Sequence, residues 1–273
     1  MAEKSNGTMD SWRGRWALVT GASAGIGWAL AEELAAGGAH LILTARRHER
    51  LDQLARSLRD RHGISTEICT ADLTLPDAPR EIFAFTEGKG ITVDLLVNNA
   101  GLGDYGEFHS SDLDKQLAMV HVNCAAVLHL THLYLKGMVE RQRGDILIVA
   151  STASYQAVAY ISTYAASKAF DLLFAEGLAE EVARYGVRVC ALCPGPTTSE
   201  FQAVAGTPQR SGVRMEPADK VARVGLRALA SGKHSVISGW TNWLGVQGQR
   251  LAPRHLVTST AAAMYRPKHL GGK

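Results

Sequence analysis

Residues 16–36 read WALVTGASAGIGWALAEELAA: a short apolar run, a glycine-rich turn, then an alanine-rich stretch with helical spacing. A β-prone run that passes through a tight turn straight into a helix is how a parallel strand–helix–strand unit begins. Glycines at 21, 25 and 27 permit a sharp turn and close backbone approach, while the helix start offers free amides and the positive end of its dipole. That combination suits the pyrophosphate of a dinucleotide, with Gly21, Ser23, Gly25, Ile26 and Gly27 around it. The same letters are also compatible with a strand-to-helix turn chosen for packing alone. Their position between an apolar strand and a helix favours the nucleotide.

Outward from this turn the alternation continues. Apolar runs at 17–20, 40–44, 66–70, 94–98, 145–150, 187–192 and 235–237 predict seven strands. Helical patterns lie between them at 26–36, 49–61, 79–86, 112–141, 164–185 and 217–230. Right-handed crossovers then place helices on both sheet faces, an α/β doubly wound (Rossmann) fold with a seven-stranded parallel sheet. Residues 14–273 are expected to form that one domain, after a loose polar arm at 1–13. The Gly-, Pro-, Ser- and Thr-rich stretch 194–216 is expected to overhang the ligand crevice as a substrate lid. In the C-terminal extension 239–273, Trp240 and Trp243 either pack on the core, the weightier reading, or line the pocket.

Composition narrows the function classes. Hydrophobic residues make up 46% and charged ones 20%, with a net charge of +3 spread along the helices, so neither a nucleic-acid footprint nor a membrane surface is expected. No long uninterrupted apolar stretch and no signal-peptide pattern is present, and the four cysteines lack disulfide clustering, which points to the cytoplasm. Cys190 and Cys193 form a CxxC, but strand alternation should send them to opposite faces, against a redox or metal role. His121, His129 and His132 share one helix without a third ligand at recognisable spacing, so no metal is expected.

The second strand is followed by Ala45, Arg46 and Arg47 rather than by the acidic residue that holds ribose hydroxyls in NAD-selective sites. Two guanidinium groups suit a 2′-phosphate, which predicts NADP(H) in preference to NAD(H). Read as solvated residues opening the next helix, the same arginines carry no cofactor meaning. Further along, NNAG at 98–101 ends the fourth strand, where small Ala100 and Gly101 admit close approach and the amides of Asn98 and Asn99 can join strand ends. Tyr164 and Lys168 stand four apart at a helix start, on one face, and Ser151 precedes Tyr164 by 13 residues.

TGASAGIG, NNAG and the Ser151, Tyr164 and Lys168 spacing, taken in order, resemble the TGxxxGxG and YxxxK signature of the short-chain dehydrogenase/reductase family. The resemblance covers about 15–237, and its CPGPTTSEF segment is similar to a bacterial branch of broadly defined oxidoreductases. It implies that Asp72 and Leu73 flank the adenine, and that Asn99, Ala100 and Gly101 approach the cofactor. It implies that Pro194, Gly195, Thr197 and Ser199 close over the nicotinamide, Ser199 standing where many members carry Thr. It further implies Asn123, in HVNCAA, as the fourth catalytic position, holding a water that links the lysine to solvent.

The chemistry needs these residue types. Carbonyl reduction delivers hydride to carbon and a proton to oxygen, so a phenol near that oxygen serves as general acid, and its phenolate as base in reverse. Free tyrosine titrates near 10, and bringing Tyr164 down by about 2 to 3 units requires roughly 3 to 4 kcal/mol of phenolate stabilisation, expected from Lys168 and the oxidised nicotinamide. Lys168 is also expected to grip the ribose, and Ser151 to hydrogen-bond the substrate oxygen. The expectation is an NADP(H)-dependent enzyme interconverting a carbonyl and a secondary alcohol on a small to medium hydrophobic substrate. Its pocket is drawn from Leu102, Tyr105, Ser154, Tyr155, Tyr160 and Phe201. The rivals are a 3-oxoacyl thioester reductase and a non-catalytic NADPH-binding sensor or scaffold. The long helix around His121 resembles the family's subunit interface, implying a homodimer or homotetramer.

Overall fold

The structure, a computed structural model, describes residues 9–206 and 215–267. Among these, strands β1 (Trp16–Thr20), β2 (His40–Ala45), β3 (Thr66–Thr70), β4 (Val93–Asn98), β5 (Gly144–Val149), β6 (Val187–Cys193) and β7 (Ser235–Ile237) form one parallel sheet in the order β3-β2-β1-β4-β5-β6-β7. The seven strands fall where the apolar runs predict them, within a residue at each end.

Both faces of the sheet are covered, which is why its strands read as near-continuous apolar runs. One layer contains α1 (Gly25–Ala36), α2 (His48–His62) and α8 (Ala218–Ala230), packed on Ala17, Val19, Leu41, Leu43, Leu95 and Val97. The other contains α3 (Ala78–Gly88), α5 (Ala126–Glu140) and α6 (Ser162–Val182), packed on Leu18, Ile42, Leu96, Ile146 and Ile148. The period of two along each strand sorts these side chains between layers. It also separates the two sulfurs of the CxxC, since Cys190 packs in the first layer and Cys193 in the second. Burial pushes each of these thiols up to about 12.

Several elements differ from the sequence reading. The single helix expected at 112–141 is α4 (Leu113–Val120) and α5 joined by a π-helical turn, His121–Ala125, which contains the buried Asn123. An inserted residue of this kind re-aims the side chains around it. Within the stretch Leu113–Glu140, an 18-residue window with mean hydropathy 1.2 is long and apolar enough to cross a bilayer by composition. The stretch's Val122, Leu130, Tyr134 and Met138 instead face the second layer.

The expected loose arm is corrected at its inner end. Trp12 is 1% exposed, and its Nε1 donates to Asp145 Oδ2 at 2.7 Å. Arg188 completes that site with two further hydrogen bonds to the Asp145 carboxylate, 2.6 and 2.9 Å. Residues 1–8 of the arm lie outside the described residues, as do 207–214 of the expected lid. The described part of the lid includes a short helix, α7 (Phe201–Val204).

The extension contains two helices that the sequence reading lacks, α9 (Trp240–Gln249) and α10 (Arg254–Tyr265). Neither tryptophan adopts the expected packing, for Trp240 is 74% and Trp243 49% exposed. The inward contact of α9 is made instead by Val246 and by Asn242, whose amide lies against Gly195.

Trp12 therefore ties the chain before β1 to the start of β5. Trp12→Ala should lower the unfolding free energy by about 3–5 kcal/mol, from lost packing and an Asp145 left with one partner fewer. The drop is read as a lower urea midpoint at unchanged slope.

Candidate active site

In an open parallel sheet the ligand crevice opens where neighbouring strands send their connections to opposite faces. Here that point lies between β1 and β4, because α1 covers one face and the helices after β4 cover the other. The two strand ends are fastened together. Thr20 Oγ1 donates to Val97 O at 3.2 Å and accepts from the amides of Asn99 and Ala100, each at 3.0 Å. Asn99 Nδ2 donates back to Thr20 O at 2.8 Å and to Gly21 O at 3.3 Å.

This clasp dictates the glycines. Gly21 has φ of +66°, a conformation that disfavours side chains, and a Cβ on Gly27 would strike the Asn99 amide and the Gly21 carbonyl. The turn is thus a backbone cradle at the start of α1, the shape and polarity that a pyrophosphate needs. Ile26 packs on the first layer beneath it.

Ser23, in the turn, accepts from Arg47 Nη2 at 3.1 Å. The same guanidinium donates to Glu200 Oε2 at 2.7 Å, and Arg50 Nη2 lies 3.4 Å from Glu200 Oε1. Two arginines beside the glycine turn therefore already hold an anionic group, and hydrogen bonding to Arg47 holds the Glu200 carboxyl below its ordinary range. Residues able to hold a 2′-phosphate are thus present, with Arg50 beside Arg47; Arg46, Arg47 and Arg50 are all exposed. Asp72 accepts from Thr74 N and Oγ1 at 3.0 and 2.9 Å, so its carboxylate braces its own turn, and Leu73 is buried.

The proposed catalytic side chains gather beyond β5 and at the first turns of α6. Ser151 leaves β5 and accepts from Ala153 N at 3.1 Å, which fixes its hydroxyl. It lies near enough to the Tyr164 hydroxyl to pull that group's pKa down. Lys168, 5% exposed, donates from Nζ to Val149 O at 2.7 Å and to Asp171 Oδ2 at 2.9 Å. Asn123 spends its side chain on backbone and neighbour: Oδ1 accepts from Leu102 N at 2.8 Å, and Nδ2 donates to Leu102 O and Ser167 Oγ, both at 2.9 Å. A Cβ placed on Gly101 would lie 3.4 Å from Asn123 Oδ1 and 3.5 Å from Lys168 Nζ, so the NNAG turn, Asn123 and Lys168 meet there.

The electrostatics depart from the expected lowering of Tyr164. Burial pushes its hydroxyl up, Lys168 and Ser151 pull it down, and Asp171 pushes it up again, leaving it above its ordinary value. Burial by itself lowers Lys168, but Asp171 and Tyr164 outweigh it, so the amine is held as an ammonium. The chief reason for the departure is burial of the phenol, with the Asp171 carboxylate a smaller contribution in the same direction.

The segment after β6 lies over this cluster. Pro194 O accepts from Thr152 N at 2.9 Å, Thr197 Oγ1 donates to Gly195 O at 2.9 Å, and Ser199 Oγ accepts from Phe201 N at 3.3 Å. The hydroxyls of Thr197 and Ser199 are thus engaged within their own segment. Phe201 rests on Tyr164, ring centres 5.4 Å apart. Of the expected pocket residues, Ser154 turns inward to donate to Lys168 O at 2.7 Å, and Tyr155 turns inward toward Cys193 Sγ at 3.7 Å. Tyr160 holds a left-handed φ of +66°, strain that requires support, and its carbonyl accepts from Gly106 N at 2.9 Å. Tyr105 donates to Tyr265 O at 2.8 Å, which brings the end of α10 to the site. Arg50, Asp171, Glu200 and Tyr265 are absent from the sequence reading. Only Asp171 leaves a trace there, three residues after Lys168 on the same helical face.

Comparison with known proteins identifies the family and fold. The short chain dehydrogenase family profile matches residues 15–209. The chain is 32% identical over 202 residues to a 7beta-hydroxysteroid dehydrogenase of Collinsella aerofaciens, covering 73% of this chain and 76% of that one. It is 36% identical over 187 residues to the very-long-chain 3-oxoacyl-CoA reductase of Bos taurus, covering 67% of this chain but 59% of that longer protein. Among solved structures, a short-chain dehydrogenase from Sphingobium yanoikuyae in complex with NADPH superposes with a TM-score of 0.79 at 29% identity, over 87% of this chain and 93% of that one.

Glu200 occupies the arginines that a 2′-phosphate would use. Glu200→Gln should tighten NADPH binding about threefold and leave NADH binding unchanged, in keeping with the modest strength of half-exposed ion pairs. Calorimetric titration with each dinucleotide reads the difference.

Proposed function

The chain belongs to the short chain dehydrogenase family of oxidoreductases, and on that premise we propose that it interconverts a carbonyl and a secondary alcohol using NADP(H), on a small to medium hydrophobic substrate. The observation that carries this reading is the convergence of Ser151, Tyr164 and Lys168 beside a glycine cradle at the β1/β4 crevice. When bound, the nicotinamide supplies or accepts the hydride.

The chain's own residues handle the proton and the oxygen. Tyr164 gives its hydroxyl proton to the carbonyl oxygen during reduction and, as phenolate, takes it from the alcohol during oxidation. Ser151, held by Ala153 N, directs its hydroxyl to the same oxygen and stabilises its developing charge. Lys168 provides positive charge behind Tyr164 and a donor for the ribose. Asn123 braces the turn that holds Leu102 against the site. NADP(H) in preference to NAD(H) is supported by Arg47 and Arg50 holding an anion beside the turn, and by the NADPH in the Sphingobium yanoikuyae protein. An apolar substrate is supported by Phe201, Leu102 and Tyr105 around the cluster.

A second reading is reduction of a 3-oxoacyl thioester, favoured by the similarity to the bovine reductase. A non-catalytic NADPH sensor is the remaining alternative. We place the protein in the cytoplasm, in keeping with four free thiols. We further propose a homodimer or homotetramer, supported by the exposed stripe of Leu113, Leu117, Val120 and Leu128 along α4 and α5.

Tyr164→Phe separates these readings. On a panel of hydrophobic ketones and a 3-oxoacyl-CoA, it should lower kcat at least about a hundredfold while NADPH binding survives. A sensor would show no turnover to lose. Light scattering at micromolar concentration should give a mass of two or four chains, and a lone 29.3 kDa species would remove the oligomer.

A further inference from the structure

Asp171 has no part in the proton transfer just described, yet it is 0% exposed and sits in the second core layer beside the reacting cluster. A carboxylate so deep is costly unless it is paired. Its Oδ2 accepts from Lys168 Nζ at 2.9 Å, while Oδ1 has no hydrogen-bond partner among the described residues. Helix α6 accounts for the pairing: positions 164, 168 and 171 follow the four- and three-residue steps of one helical face.

Other groups can be compared with it. The thiols facing this pair are Cys124, from the π-helical turn, and Cys193, from β6; burial pushes the first up to about 11 and the second up to about 12. Both are neutral near pH 7. Tyr164 is the remaining titratable neighbour. Asp171 is the one carboxyl among these groups: burial pushes it up, Lys168 pulls it down, and its Oδ2 is bonded to the ammonium.

We propose that Asp171 is a positioning residue that holds the Lys168 ammonium toward β5 and offsets the positive charge Tyr164 feels, keeping the tyrosine in its proton-donating form. This rests on Tyr164 being the acid of the proposed reaction. An ammonium alone favours the phenolate, the form needed for alcohol oxidation, whereas a neighbouring carboxylate opposes that preference. Asp171 thus biases the site toward carbonyl reduction near neutrality and leaves alcohol oxidation to more alkaline conditions.

The test needs no substrate. Phenolate absorbance is titrated in protein saturated with NADP+, and the Tyr164→Phe titration is subtracted to isolate Tyr164. In Asp171→Asn and Asp171→Ser the Tyr164 signal should appear at lower pH than in the wild type, because the opposing negative charge is gone. Asp171→Glu should keep the wild-type midpoint. A wild-type midpoint in the Asn and Ser variants, whatever their stability, overturns the proposal. So does a fall at position 171 that Glu also shows, which would report packing rather than charge.

A second measurement covers variants that do not fold. In wild-type protein labelled with 15N-lysine and assigned by Lys168→Gln, the Lys168 amine should stay protonated beyond the ordinary lysine range. Deprotonation below that range overturns the proposal without any change at Asp171. Since neither titration depends on turnover, an enzyme inactive on every carbonyl tested would contradict the proposed reaction and leave these outcomes readable.

Discussion

The structure depends on the clasp between the ends of β1 and β4. Thr20 and Asn99 exchange hydrogen bonds across two strands that must separate just beyond them, because their following helices cover opposite faces. The backbone ladder between the two strands ends at Val19 and Val97, so beyond it these side-chain bonds hold the separating ends. The clasp fixes the crevice width, and the space it takes leaves no room for a side chain on Gly27. Cofactor cradle and sheet integrity are therefore one arrangement of atoms. Loss of Asn99 would open both together.

Burial and charge act against each other in the neighbouring cluster. Excluding water strengthens every electrostatic contact, but it also disfavours the phenolate that the reverse chemistry requires. Lys168 and Ser151 counter that effect, and Asp171 reinforces it. The balance is set by which carboxylate and hydroxyl the helix α6 and the turn after β5 bring near the ring. Phe201 deepens the burial from above. The Tyr164 ring is thus governed from three sides by elements far apart in sequence.

How legible this was depends on the range of the interaction. Strands flanked on both faces must be apolar throughout, so the sheet was visible as seven runs such as LILTA and DILIV. The glycine turn and the Tyr164 and Lys168 pair are local spacings, and they were visible for that reason. Glu200 and Arg50, 150 residues apart, meet only because the segment after β6 folds back over α2, and no spacing encodes that. The π-helical turn was hidden because HVNCAA continues the apolar pattern of the helices around it. Asp171 shows in the sequence only by its spacing, three residues after Lys168, and its burial is visible only in the fold. Trp12 was misjudged for the opposite reason: a polar setting masked one large ring that fills the core. The tryptophans of α9 fail on composition too, since large aromatic residues are ordinarily interior.

The hydrogen bond from Tyr105 to the Tyr265 carbonyl joins positions 160 residues apart in the chain. During synthesis the sheet core, the glycine cradle and the Ser151, Tyr164 and Lys168 cluster all leave the ribosome before Tyr265 does. A nascent chain can therefore hold the glycine cradle while the partner of Tyr105 is still untranslated. Polypeptides halted before that point would have the glycine cradle with an open side, and α10 would act as the keystone that closes it.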